Sequence, residues 1–195
     1  MEKYPKEVKL KNGSMVELRL LKEDDLPELV SFYQALPLED RLFLRSDVMD
    51  RENIYKRFGK LDYKFIYPLI ACNKHELIAI GSLFRDKFGW KRNLGKIRFV
   101  IRPDFQKQGL CTLLIRELFF HAITTDLYKI KAEVIEDQES AIFALKKMGF
   151  VKEAVLQNHV LDIKNRRCNL VIMSLDIQGL WNLMEDFIEG RAYPV

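Results

Sequence analysis

The segment whose residue types best suit chemistry is a glycine-containing turn between a predicted strand and a predicted helix. It runs from Gln106 to Thr112 with Gly109 at its centre. Backbone N–H groups at such a turn lack helical acceptors and lie at the positive end of the helix dipole. A glycine also lets a ligand approach the backbone closely. The turn is therefore predicted to bind an anion, with Arg102 and Lys107 adding positive charge. The alternative is an ordinary glycine-containing turn that binds nothing.

The remaining residue types that commonly do chemistry are dispersed along the chain. No Cys-x-x-Cys pair or Cys/His cluster occurs among the three cysteines and three histidines (Cys72, Cys111, Cys168, His75, His121 and His159). This spacing predicts no metal site. An odd number of distant cysteines predicts no disulfide and a reducing, cytoplasmic compartment. Each histidine is expected to be structural rather than catalytic.

Composition narrows the class of protein. The chain has 195 residues, 48% of them hydrophobic, which predicts one globular domain rather than a disordered chain. No apolar run approaches the roughly 20 residues of a membrane-spanning helix, and the N-terminus lacks an apolar signal core. The 32 basic and 28 acidic residues leave a net charge of 32 − 28 = +4 without a block of five like charges. We expect no membrane or nucleic-acid partner, whereas a mild basic excess suits an anionic cofactor or an acidic partner.

Turn residues and hydrophobic spacing predict a mixed α/β (α+β) domain that begins and ends in hairpins. The strands predicted at 96–102 and 129–135 are joined by a helix, and such a crossover implies that these two strands are parallel. The predicted strands are 8–21 (a hairpin around Asn12-Gly13), 65–73, 77–85, 96–102, 129–135, 151–161 and 167–175. The predicted helices are 25–36, 38–58 with an interruption near 46–47, one starting near 109, 140–148 and a final helix of about 177–190.

The turn and a second segment together resemble the GNAT superfamily of acyl-CoA-dependent N-acyltransferases. The turn has the family's Gln/Arg-x-x-Gly-x-Gly/Ala pattern at Gln106 and Gly109, with Cys111 at the last, small position. Residues 137–150 resemble the family's short helix that ends in Gly-Phe, here Gly149-Phe150. The resemblance implies a single domain with a core of about 14–176 and a C-terminal helix. Its sheet would be mixed and mostly antiparallel, with a central, splayed parallel pair flanked by helices.

The resemblance also implies a cofactor site for acetyl-CoA or another acyl-CoA. Backbone groups of the strand before the turn would pair with the pantetheine arm, and an N–H near Val100 would polarise the thioester carbonyl. N–H groups of the turn would hold the pyrophosphate, and the second segment would line the opposite wall. The implied residues are Val100, Ile101, Arg102, Gln106, Lys107, Gln108, Gly109, Leu110, Cys111, Thr112, Gln138, Ser140 and Phe143.

Two positions depart from the family pattern. Many members have a glutamate base on the strand before the turn, where this chain has Lys96, and a tyrosine acid where it has Leu145. An ammonium group cannot accept the amine's proton, so the catalytic base is unassigned. Glu133 is the nearest carboxylate by sequence. The alternatives are that Glu133 is only a solvated strand residue, or that water relays the proton to bulk solvent. These departures keep a second hypothesis open, namely a non-catalytic acyl-CoA sensor of the same fold.

Residues 36–45 resemble the segment after the first helix in bacterial GNAT-type protein lysine acetyltransferases. The resemblance therefore implies transfer of an acetyl or short acyl group to a primary amine, with a protein lysine favoured over a small-molecule amine. The acyl group, the acceptor and the oligomeric state are left open by the sequence.

Overall fold

The alternating strands of the sequence form an eight-stranded sheet in the computed structural model, which describes residues 4–41, 44, 50–162, 164–177 and 179. The strand order is β1-β2-β3-β4-β5-β6-β8-β7, and every neighbouring pair is antiparallel except β5 and β6. The strands are β1 (Lys6–Lys9), β2 (Met15–Leu20), β3 (Ile66–Asn73), β4 (Glu76–Arg85), β5 (Leu94–Ile101), β6 (Lys129–Ile135), β7 (Val151–Leu161) and β8 (Arg167–Asp176).

Helices cover both faces of the sheet and divide the core in two. The helices of the described residues are α1 (Leu26–Gln34), α2 (Leu38–Arg41), α3 (Arg51–Phe58), α4 (Leu110–Ile123) and α5 (Glu139–Lys147). One buried cluster joins the sheet to α4 and α5, and the other joins it to α1 and α3. The Asp50 carboxylate begins α3 by accepting a hydrogen bond from the Glu52 N–H at 2.9 Å, and α3 ends at Gly59.

Strand β5 places alternate side chains on the two faces of the sheet, as its period of two requires. Ile97 and Ile101 are buried in the cluster with α4, whereas Val100 packs against the cluster with α1 and α3. Lys96 and Arg98 therefore share the face of Val100, beneath α1 and α3.

The two parallel strands separate along their length. Strand β5 pairs with β6 at three positions only: Leu94 with Lys129, Gly95 with Ile130, and Lys96 with Lys131. Beyond Lys96, β5 continues along β4 to Ile101 while β6 continues along β8. A wedge therefore opens in the middle of the sheet, and the prediction of a central, splayed parallel pair is confirmed.

The predicted order of strands and helices is confirmed over the described residues, and most ends shift only slightly. The helix predicted at 38–58 is present as α2 and α3, with Leu44 and Asp50 outside both. The strand predicted at 96–102 begins two residues earlier, at Leu94, because Gly95 packs where β5 still pairs with β6. Of the helix predicted at 177–190, the described residues include only Ile177 and Gly179, and the interruption predicted near 46–47 lies outside them.

Three further features concern the whole described part of the chain. None of its helices has the length and apolar character needed to cross a membrane. No group of three or more His, Cys, Asp or Glu side chains among the described residues could hold a metal ion. Cys72, Cys111 and Cys168 are all free thiols.

Candidate active site

The wedge between β5 and β6 opens into a cavity of about 100 Å³ that passes from one face of the sheet to the other. Its walls on the wedge side come from the separated strands and the start of α5, including Phe99, Val100, Ala132, Val134 and Gln138. On the other side the walls come from α1 and α3, including Tyr33, Arg57 and Phe58. The cavity thus connects the wedge to the space under α1 and α3.

The predicted anion-binding turn lies at the far end of β5. Gly109 has φ +90° immediately before α4, and Lys107 has φ +58°. The first α4 hydrogen bond runs from the Leu113 N–H to the Gly109 carbonyl at 3.0 Å. Among the described residues, the backbone N–H groups from Lys107 to Thr112 have no hydrogen-bond acceptor. These groups provide the donors that a pyrophosphate requires.

Side chains within and before the turn fix its shape. Gln106 Nε2 donates to the Ile101 carbonyl and to Asp40 Oδ1, both at 3.2 Å. Gln108 Nε2 donates to the Asp104 carbonyl at 2.7 Å. The predicted Gln106 and Gln108 therefore tie the turn to the backbone that precedes it.

The turn has one neighbour that the sequence pattern did not reveal. The methylenes of Lys11, in the β1–β2 turn, would lie 3.7 Å from a Cβ on Gly109, and the Lys11 N–H donates to the Gln108 carbonyl at 3.3 Å. By contrast, Arg102 is engaged by Glu76 at 2.9 Å and Asp104 at 2.7 Å, so carboxylates balance its charge.

The hydrogen-bond ladder decides which backbone groups of β5 face the wedge. The Arg102 N–H donates to the Ile78 carbonyl of β4 at 2.9 Å, and the uniform β4–β5 register gives Val100 the same orientation toward Ile80. In a strand, successive residues direct their N–H and C=O groups to opposite edges. Ile101 and Phe99 therefore present their backbone groups at the open edge, whereas Val100 and Arg102 present theirs to β4. Phe99 was not predicted from the sequence, because the edge that its backbone groups face follows from the pairing of β5 with β4.

The second predicted segment lines the cavity at two residues, Gln138 and Ala141. Gln138 precedes α5, lines the cavity and accepts a hydrogen bond from the Ile135 N–H at 3.2 Å. Ser140 is exposed, and Phe143 is 70% exposed and outside the cavity lining. Leu145 is fully buried in the core with α4.

The first turn of α4 supplies the remaining predicted residues. Leu110 is buried in the core beneath the turn, and Thr112 is half-buried. Cys111 packs against the same core, and burial raises the pKa of its thiol to about 12. The side chains of these residues anchor the helix, so their contribution to an anion site is made by their N–H groups.

A carboxylate reaches the cavity from β6 rather than from β5. Glu133 lines the cavity, and its Oε1 lies 2.6 Å from Lys131 Nζ. It is the only carboxylate among the described lining residues. Lys96, at the position of the family's glutamate, instead lines an adjoining cavity of about 330 Å³. Glu133 therefore lines the cavity in the wedge, and Lys96 does not.

Three lining residues beneath α1 and α3 were not singled out by the sequence. They are Tyr33, Arg57 and Arg98. Burial raises the pKa of Tyr33 to about 12, and the charges of Arg57 and Arg98 act in the opposite direction. Arg98 also lies over the Phe84 ring, 5.2 Å from its centre. Arg98 could have been found by strand alternation from Val100, whereas Tyr33 and Arg57 depend on how the helices fold back.

A splayed parallel pair of strands with a glycine-containing turn at its end is the arrangement that the resemblance to GNAT proteins implied, and comparison with known proteins agrees. The model of the Acetyltransferase (GNAT) family matches residues 28–150, so this chain belongs to that family. A comparison with curated proteins gives no sequence match.

Solved structures share the fold at low sequence identity. The GNAT domain of PAT from S. lividans is 18% identical with a TM-score of 0.75, covering 89% of this chain and 99% of that one. A ribosomal-protein-alanine N-acetyltransferase from Brucella melitensis is 19% identical with a TM-score of 0.72, covering 82% and 98%. A spermidine N-acetyltransferase chimera from Vibrio cholerae and hSSAT is 18% identical with a TM-score of 0.70, covering 86% and 98%.

Proposed function

We propose that the protein transfers an acetyl or other short acyl group from acyl-CoA to a primary amine. The observation that carries this proposal is the wedge, which joins an anion-binding turn at one end to a cavity containing a carboxylate at the other. A catalyst of this reaction needs both features. A non-catalytic sensor needs only the first, so Glu133 in the cavity favours catalysis.

The cofactor site is assigned from the groups that lack partners. The N–H groups from Lys107 to Thr112 would hold the pyrophosphate. The open-edge backbone groups of Phe99 and Ile101 would pair with the pantetheine arm, and one of these N–H groups would polarise the thioester carbonyl. Gln138 would lie on the opposite wall.

In the reaction, the neutral amine attacks the thioester carbon, a C–N bond forms and the C–S bond breaks. Glu133 accepts the proton that the amine loses, and Lys131 holds the Glu133 carboxylate in place. The departing thiolate takes a proton from water. Because a thiol has a reference pKa of about 8.5, its thiolate can leave without a dedicated acid. This agrees with Leu145, fully buried, at the position of the family's tyrosine acid.

A protein lysine is the favoured acceptor and a small-molecule amine is the second candidate. Residues 36–45 support the first, because they resemble the corresponding segment of bacterial protein lysine acetyltransferases, and Leu44 of that segment lines the cavity. Solved structures of this fold include enzymes named for a ribosomal protein and for spermidine, so the fold accommodates both kinds of acceptor. The free thiols fit a reducing compartment such as the cytoplasm.

The test is incubation of the protein and labelled acetyl-CoA with a lysate freed of small molecules and, separately, with polyamines, amino acids and aminoglycosides. We expect label in proteins. Label confined to small amines would overturn the protein preference. Absence of label in both arms, with tight CoA binding in calorimetry, would instead favour the non-catalytic sensor.

A further inference from the structure

The cavity in the wedge continues into a second space beneath α1 and α3. The adjoining cavity of about 330 Å³ shares Arg57, Phe84 and Arg98 with the first. It extends along β5 past Lys96 toward Arg85 at the end of β4. We call the two spaces together the acceptor groove, and it leads away from the turn at residues 107–112.

The acceptor groove is lined by more cations than anions among its described residues. The cations are Arg57, Arg85, Lys96 and Arg98, and the carboxylates are Asp86 and Glu133. Arg85 is already paired with Asp126, outside the groove, at 2.6 Å. Glu133 is already bound by Lys131, which does not itself line the groove. Two guanidinium groups, those of Arg57 and Arg98, lie where the groove meets the wedge.

Like charges are also placed side by side within the sheet. Lys96 is paired in register with Lys131. Glu133 lies 2.6 Å from Lys131 and balances its charge, whereas Lys96 lines the groove and adds a positive charge to it.

The position of the groove identifies which part of the substrates this anion belongs to. The pyrophosphate site is assigned to the turn at the carboxyl end of β5, whereas the groove leads toward the amino end of that strand. A ligand in the groove therefore approaches the thioester from the side opposite the phosphates, which is the side of the acceptor.

We propose that the acceptor amine carries a carboxylate, and that Arg57 and Arg98 bind this carboxylate beside the reacting nitrogen. This inference rests on the proposed function. Guanidinium groups bind carboxylates through paired, charge-assisted hydrogen bonds, so they suit this ligand better than a lysine would. The same positive charges disfavour an ammonium group nearby and so favour the neutral, reactive amine. Polyamines, whose other groups are cationic, are poor acceptors in such a groove.

The experiment compares acceptors that differ only in the group remote from the amine. Cadaverine, δ-aminovaleramide and δ-aminovalerate have the same chain length and end in an ammonium, a neutral amide and a carboxylate. A parallel arm uses lysine peptides with glutamate, glutamine or arginine on both sides of the lysine. In whichever of the two sets is the better substrate, we expect kcat/KM to be at least about tenfold higher for the acceptor with a carboxylate than for the one with an amide.

Variants assign the preference to the guanidinium groups. Arg57→Gln and Arg98→Gln should each bring the carboxylate-to-amide ratio close to one with CoA affinity unchanged. Arg167→Gln removes the same charge at an exposed position of β8 and should keep the wild-type ratio. Calorimetry of the CoA-bound protein with N-acetyl-δ-aminovalerate and its amide measures the same preference without turnover.

Each outcome is decisive. Equal or better use of the amide or the diamine by the wild type overturns the inference, as does a ratio that neither arginine variant lowers. A preference for succinyl-CoA over acetyl-CoA that disappears in Arg98→Gln, without selection among acceptors, moves the carboxylate to the acyl group and overturns the assignment to the acceptor. Loss of CoA binding in the wild type would instead refute the proposed function.

Discussion

Lys96 and Lys131 face each other at the last position where β5 and β6 pair, and both side chains lie on the α1 and α3 side of the sheet. Two residues further along each strand, on the same face, Arg98 and Glu133 line the cavity from strands that have separated. The only carboxylate among the described cavity residues therefore comes from β6, and β5 contributes cations.

Glu133 is expected to be the general base. Glu133→Gln keeps the size of the side chain and removes its ability to accept the amine's proton, so kcat should fall by about 10²–10⁴-fold while CoA affinity is retained. Steady-state kinetics and calorimetry measure the two effects. Glu153→Gln is the matched control, because Glu153 also pairs with a lysine of β6, Lys129, at 2.7 Å, but on an exposed surface. Similar kcat values for both variants would remove Glu133 from the mechanism.

The rate should rise with pH between about 6.5 and 9. The reacting group is the neutral amine, and a lysine amine has a reference pKa near 10.4, so its neutral fraction grows about tenfold per pH unit below that value. Tyr33 should not add a step to the profile, because burial raises the pKa of its hydroxyl to about 12 and keeps it protonated throughout this window. Plots of log kcat/KM against pH for the wild type and Tyr33→Phe should have the same slope. A profile that falls above pH 7 would contradict this prediction.

The backbone at Gly109 is expected to control CoA binding. Gly109→Val places a β-branched residue at φ +90°, which costs about 1–2 kcal/mol or forces the turn to move. The added Cβ would meet only the Lys11 methylenes at ordinary contact distance, so the backbone conformation, not a clash, is what changes. Calorimetry should show CoA affinity reduced at least about tenfold.

Gly89→Val is the control for Gly109→Val. Gly89 has φ +85° in the β4–β5 loop, with nothing within 4 Å of an added Cβ. The Gly89→Val substitution therefore imposes similar backbone strain away from the wedge, and the CoA affinity of this variant should equal that of the wild type. Unchanged affinity in a folded Gly109→Val protein would exclude the turn from the site.

The local sequence pattern predicted more of the fold than of the candidate site. The Asn12-Gly13 turn, the alternation in β5 and the short helix closed by Gly149 are each encoded within a few residues, so the sequence predicted them. Which edge of β5 a backbone group faces depends on register with β4, and this separates Ile101 from Val100. Register is a property of two strands distant in sequence, and no single-strand pattern reveals it.

The acceptor side of the cavity was missed for a related reason. Tyr33 and Arg57 lie on helices that meet β5 only after the chain has folded back across the sheet. In the sequence, Tyr33 has the spacing of a core residue and Arg57 that of a basic helix end. Both descriptions are accurate, but neither distinguishes a residue that lines a cavity from one that does not.

The three cysteines are expected to differ in reactivity and to form no disulfide. Burial raises the pKa of Cys72 to about 11 and of Cys111 to about 12, so both thiols are protonated at pH 7.5 and react slowly with iodoacetamide. Cys168 is half-buried near the end of a hairpin and should be labelled first. Bound CoA should slow labelling of Cys111 further. Peptide mass spectrometry without reduction measures this, and an intramolecular Cys–Cys pair would contradict it.

Lys96→Ala is expected to leave most of the activity, although Lys96 occupies the position of the family's glutamate base. Lys96 lines the outer part of the acceptor groove and not the cavity that contains Glu133, so it does not reach the reacting nitrogen. Steady-state kinetics should give kcat within about fivefold of the wild type, with any loss confined to KM for carboxylate-bearing acceptors. A several-hundredfold fall in kcat with CoA affinity intact would assign Lys96 a direct part in the chemistry.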